Sequence, residues 1–89
     1  MNFEWDPNKA KHNLQKHGIS FQEAVTVFSD LLSATIYDPS HSELEERFIT
    51  IGWSDSHKLL MVSHTERGNQ IRIISSRKLT KSERKDYEE

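Results

Sequence analysis

The spacing of hydrophobic positions changes once along this chain, from a helical period before residue 30 to an alternating one after it. Phe3 to Trp5 is apolar at both ends and stops at Asp6-Pro7, which predicts a brief strand. Asp6 is a good helix N-cap and Pro7 a good first helical residue. A helix is therefore expected to run to about His17, with Gly18 as its C-terminal stop. Its apolar stripe is narrow, Ala10 and Leu14, and Lys9, Asn13 and Lys16 share a polar face. Ser20-Phe21-Gln22-Glu23 matches a capping box. Behind it, Phe21, Ala24, Val25 and Phe28 follow the i, i+3, i+4, i+7 pattern of an amphipathic helix ending near Asp30.

The alternating segments follow. Leu32 to Tyr37, Arg47 to Trp53, Leu59 to Thr65 and Gln70 to Arg77 read as strands. Asp38 to Ser42 and Ser54 to His57 separate them, and Glu66-Arg67-Gly68-Asn69 is a hairpin turn. Loops this short join antiparallel neighbours, so the four strands form a meander. Thr80-Lys81-Ser82-Glu83 is a second capping box and opens a final helix to Glu89. Only Leu79 and Tyr87 can anchor it. The sum is one α+β domain over residues 1–89, with the first two helices on one sheet face and the other face only partly covered.

Composition narrows the chemistry. The chain has 89 residues and no cysteine. Disulfides, thiolate metal sites and cysteine nucleophiles are excluded. No HExxH or similar spacing marks a metal site, and no glycine-rich loop marks a nucleotide site. The N-terminus lacks the basic and apolar regions of a signal peptide, and no apolar run is long enough to span a bilayer. A cytoplasmic location is expected. The net charge of -2 hides an asymmetry. Residues 30–46 carry five acidic side chains and no Lys or Arg, whereas residues 67–89 carry seven basic against four acidic. A basic end suits a polyanion and an acidic stretch suits a basic partner, although solubility alone explains such charges equally well.

The last strand holds the sharpest candidates. Ile71, Ile73 and Ser75 share one face, and Arg72, Ile74 and Ser76 the other. Arg72 then lies among apolar neighbours on the open face, where a guanidinium needs a carboxylate or phosphate. Pairing with Glu43, Glu45 or Glu46, or snorkelling, is the plainer alternative. Arg77 has the parity of Ile71, so the end of the strand or a bulge must re-aim it before the two arginines share a site. Forked guanidinium donors suit phosphodiester cleavage in RNA, which can use the substrate's own 2′-hydroxyl and needs no metal. Of the five histidines, His17 closes the first helix beside Lys16. It can serve a site, or simply satisfy the helix C-terminus. His64 shares a strand face with Leu60 and Val62 and reads as packed. His41 and His57 read as solvated loop residues. Tyr87 is either a docking anchor or a phosphate contact.

At these residues the chain resembles the BrnT family of bacterial toxins. The matching blocks are Phe3 to Lys9, Asn13 to Phe21, Ala24 to Asp30, Glu46-Arg47 before a strand reaching Gly52, and Ile71 to Arg77, followed by Glu83 and Tyr87. Ser76 stands where the family commonly has alanine. The resemblance implies a RelE-like fold and a cofactor-free ribonuclease that halts translation. It implies a ribbon-helix-helix antitoxin, BrnA, that neutralises the toxin in a heterotetramer and represses the shared operon, so that operator DNA is met only through the antitoxin. By position it makes Arg72 and Arg77 phosphate or transition-state contacts, with Lys16, His17 and Tyr87 beside them as catalytic candidates. Lys9, Asn13, Arg47, Glu83 and Arg84 are expected to contact RNA. RelE-like folds also include gyrase poisons, and an inactive co-repressor subunit is a third reading.

Overall fold

The computed structural model describes residues 1–88, so the expected helix end at Glu89 lies outside the described residues. The chain forms β1 (Asn2–Glu4), α1 (Pro7–His17) and α2 (Phe21–Thr26), the last prolonged by a 3-10 turn at Val27–Ser29. Then come β2 (Ala34–Tyr37), a 3-10 turn at Pro39–His41, β3 (Arg47–Trp53), β4 (Leu59–Arg67), β5 (Gln70–Lys78) and α3 (Lys81–Glu88). The helix stops are the ones the sequence announces. Asp6 accepts from the Asn8 N–H at 2.8 Å, and Gly18 ends α1 with φ of 71°. Left-handed backbone there costs glycine little.

The strands lie in the order β1-β5-β4-β3-β2. The β2-to-β5 meander is antiparallel as expected. The sheet as a whole is not, because β1 pairs with β5 in parallel, Phe3 beside Ile71 and Glu4 beside Arg72. The helices between β1 and the meander supply the crossover that a parallel pair requires.

Ile19, Phe21, Ala24 and Val27 pack against Leu60, Val62 and Ile73 to form the core. Each large side chain buried there contributes roughly 1.5–3 kcal/mol. Leu14 departs from expectation: it is half exposed, and Asn13 is the buried residue of α1. The reason lies in β5. Beyond Arg72, β1 has ended and no strand covers that edge of β5. Asn13 takes the strand's place. Its Oδ1 accepts from the Ser76 N–H at 3.0 Å, and its Nδ2 donates to the Ser76 carbonyl at 2.9 Å. A second Nδ2 bond of 2.9 Å reaches the Ile19 carbonyl. One side-chain amide thus replaces a neighbouring peptide and ties α1 to the sheet.

Candidate active site

Opposite the helices, the sheet presents Ile49 and Ile51 from β3, Met61, Ser63 and Thr65 from β4, and Arg72 and Arg77 from β5. The two arginines reach one face because β5 is bulged. Ser63 pairs with Ser75 but His64 pairs with Ile73, which leaves Ile74 as the extra residue. The bulge inverts the alternation of side chains beyond it. Ile73 and Ser76 are both buried on the core side, and Ser75 and Arg77 join Arg72 on the open side. The expected alternation placed Ser75 with Ile73 and Ser76 with Arg72, so the bulge reverses both.

A cleft of about 450 Å3 lies over this face, lined by residues that include Arg47, Ser63, Ser75, Arg77, Glu83 and His41. Arg77 forms a bidentate pair with Glu83 at 2.8 and 2.9 Å. The guanidinium holds the Glu83 carboxyl down to about 2, and the Thr80 N–H adds to that. Both halves of the capping box at Thr80 and Glu83 are made, at 2.9 and 3.1 Å, so the carboxylate that starts α3 also aims Arg77. Arg47 opens β3 beside Thr65, which in turn faces Arg72. Its nearest carboxylate is Glu45 at 3.7 Å, and its buried Nε lacks a partner among the described residues.

Arg72 pairs with Glu4 of the parallel edge strand at 3.6 Å, and not with the acidic residues 43–46 weighed as its alternatives. Glu45 lies between Arg47 and Arg67. Lys9, His12, Lys16 and His17 line a neighbouring groove of about 330 Å3 with Asn8, Asn13, Ile74 and Ser75. The bulged segment of β5 is therefore the wall between a basic helix groove and the arginine cleft. Asn13, expected to touch RNA, is 4% exposed and already engaged by three hydrogen bonds. Tyr87 donates its hydroxyl to the Leu32 carbonyl at 3.0 Å, so here it docks α3. Arg84 sits 5.0 Å over the Trp53 ring and pairs with Glu88 at 2.9 Å. It lies apart from the residues lining the cleft.

His41 is exposed in its loop, as expected, and it also contacts the Asp38 carboxylate through Nδ1 at 2.9 Å and lines the arginine cleft. The Asp-x-x-His spacing around Pro39 was visible, but nothing in it announced the 3-10 turn that folds the two together. Among the described residues no three His, Asp or Glu side chains gather as metal ligands, and no helix is long and apolar enough to cross a membrane.

No curated protein matches the chain. The crystal structure of the ribonuclease toxin BrnT from Brucella abortus superposes with a TM-score of 0.67 at 23% identity, covering 91% of this chain and 99% of that one. At that identity the likeness speaks for the fold. The family model of the ribonuclease toxin BrnT of type II toxin–antitoxin systems matches residues 5–83, nearly the whole domain, and the chain therefore belongs to the BrnT family.

Proposed function

We propose that this chain is an endoribonuclease that cleaves RNA without a metal ion and arrests translation. The observation that carries this reading is the Ile74 bulge, which brings Arg72 and Arg77 to one open sheet face with Arg47 beside them. In this reading the RNA phosphate takes the place of Glu83 on Arg77 and meets the guanidinium of Arg47, which lines the same cleft. Guanidinium donors fixed on strands stabilise the charge that develops on the phosphoryl oxygens as the 2′-hydroxyl attacks. Lys9, Lys16 and His17, across the bulge, hold the neighbouring phosphates and so position the strand.

The test is RNA cleavage by the purified chain in excess chelator. Arg72→Ala and Arg77→Ala are each expected to lower kcat by roughly 100-fold or more, the range seen when one transition-state donor is removed. Equal background degradation by wild type and Arg72→Ala overturns the reading.

A type II toxin has a protein antitoxin as its partner. We propose a BrnA-type ribbon-helix-helix protein, which neutralises this chain in a heterotetramer and represses the shared operon with it. A second reading has one observation in its favour. Both Arg72 and Arg77 already meet a carboxylate within the chain, as structural arginines do. On that reading the fold is a non-catalytic binding module, such as a gyrase poison or a co-repressor subunit. Inhibition of gyrase supercoiling, with no RNA cleavage, would favour it.

A further inference from the structure

The arginines supply charge but no group that moves a proton near neutral pH. We propose that His41 is the general base of the cleavage and that Asp38 is its positioning residue, an inference that rests on the ribonuclease reading above. The geometry is specific. Asp38 follows β2 and its Oδ1 accepts from the Ser40 N–H at 3.2 Å, which fixes the carboxylate at the start of the 3-10 turn. Its Oδ2 lies 2.9 Å from His41 Nδ1. The Asp38 side chain is only 14% exposed, whereas that of His41 is 67% exposed. A partly buried carboxylate thus holds an accessible ring by one nitrogen. Donation from Nδ1–H to Asp38 fixes the neutral tautomer that leaves the Nε2 lone pair free. The ring lines the same cleft as Arg47 and Arg77, where the phosphate would sit.

The step balances as follows. His41 Nε2 takes the proton of the ribose 2′-hydroxyl as the 2′-oxygen forms its bond to phosphorus. The bond from phosphorus to the 5′-oxygen of the next nucleotide breaks, and that oxygen takes a proton from water. The imidazolium then returns its proton to solvent. The products are a 2′,3′-cyclic phosphate and a free 5′-hydroxyl. Asp38 stabilises the imidazolium formed in between, as the carboxylate of a hydrolase triad does. The charged groups around the ring are Asp38, Glu43 and Glu45 of its own loop, Arg47 of β3, Arg67 of β4, Arg77 of β5 and Glu83 of α3.

The experiment measures cleavage of a single-stranded RNA oligonucleotide by the full chain, with its pH profile, for wild type, His41→Ala and Asp38→Asn. His41→Ala is expected to lower kcat by at least about 100-fold, to leave KM nearly unchanged, and to lose the acid limb of the profile. Added imidazole should restore part of that loss, which a purely structural role would not allow. Asp38→Asn keeps the Oδ1 cap of the turn but removes the acceptor for Nδ1–H, so kcat should fall while the melting midpoint holds. Wild-type cleavage with His41→Ala within about threefold of it, and an unchanged pH profile, overturns the assignment and leaves the ribonuclease reading standing. A wild type that cuts no RNA overturns both.

Discussion

At the scale of single residues, His64 carries the clearest pH consequence. It is 4% exposed, packed edge-on against Phe28 and stacked on Phe48. Its Nε2 lies 2.7 Å from Thr50 Oγ1, which also meets Thr35 Oγ1 at 2.7 Å. Nδ1 is buried without a partner among the described residues, so a proton there would be an orphan donor; the neutral ring carries its hydrogen on Nε2. Burial lowers the His64 pKa to about 4, well below the ordinary 6.5. The unfolded chain therefore binds more protons than the folded one between these values. Stability is full above about pH 6.5 and falls as pH drops toward 4, by up to about 3 kcal/mol. Urea unfolding at pH 7 and pH 4.5 should show that loss in wild type, and a much smaller one in His64→Leu. That histidine was legible in the sequence, because its parity with Leu60 and Val62 placed it on the core face. Arg77 was legible only as a conflict. In Ile73-Ile74-Ser75 either alternation buries an isoleucine, so the pattern does not reveal which residue is extra. The Asp38–His41 pair was legible only as a spacing, since loop geometry leaves no period to show that the two side chains meet.

At the scale of elements, the sequence announced the strands and helices but not what joins them. Asp6, Gly18, Ser20 and Thr80 marked their own ends through local bonds. The parallel pairing of β1 and the role of Asn13 depend on contacts across 63 residues or more, beyond the reach of any local pattern. Those contacts make a strong prediction. Asn13→Ala strips partners from the Ser76 N–H and carbonyl and from the Ile19 carbonyl, all in a buried place. Stranded backbone groups of this kind cost about 1–3 kcal/mol each. The variant should lose at least about 2 kcal/mol in urea unfolding, and RNA cleavage should suffer through the slackened bulge. Asn13→Asp is a useful partner, because it keeps the acceptor for Ser76 but loses both donated bonds. Gly52 makes a second element-scale point. A β-carbon there would come within 2.9 Å of Ser33 Cβ and 3.0 Å of both Asp30 Oδ2 and Val27 Cγ1. Asp30 cannot easily retreat, since its carboxylate accepts from the Trp53 and Leu32 N–H groups at 2.8 and 2.9 Å. Those bonds also hold its pKa below the usual carboxylate value. Gly52→Ala should therefore cost roughly 1–3 kcal/mol, the range for forcing extra volume into a packed site. A thermal melt checks it.

At the scale of the whole molecule, charge is divided by place more than by amount. The chain is nearly neutral, yet the α1 groove carries Lys9, Lys16 and two histidines, and the adjoining sheet face carries Arg47, Arg72 and Arg77. The bulged segment of β5 lines both, and of the acidic residues 30–46 Asp38 lines the arginine cleft while Glu45 lines the pocket beside Arg47 and Arg67. On the proposed reading a strand of RNA crosses from one basic groove to the other and displaces counterions from several phosphates. Its binding must weaken with salt, and for a single strand log K falls with log salt by about 0.7 for each phosphate neutralised. This separates two kinds of basic residue. On the proposed reading Lys16→Ala removes a positioning contact, so it should lower the salt slope of RNA binding by about 0.7 and raise KM, with kcat changed little. Arg77→Ala removes a group whose demand rises in the transition state, so kcat should fall far more than affinity does. Glu83 already neutralises Arg77 in the free protein, which makes the contrast sharper. Ground-state RNA gains little by replacing one anion with another, and only the extra charge of the transition state tips the exchange. Binding measured by fluorescence anisotropy across a salt series, alongside kcat for the same variants, decides the matter. A salt slope that Lys16→Ala leaves untouched would place the RNA outside the α1 groove and confine the site to the arginine cleft.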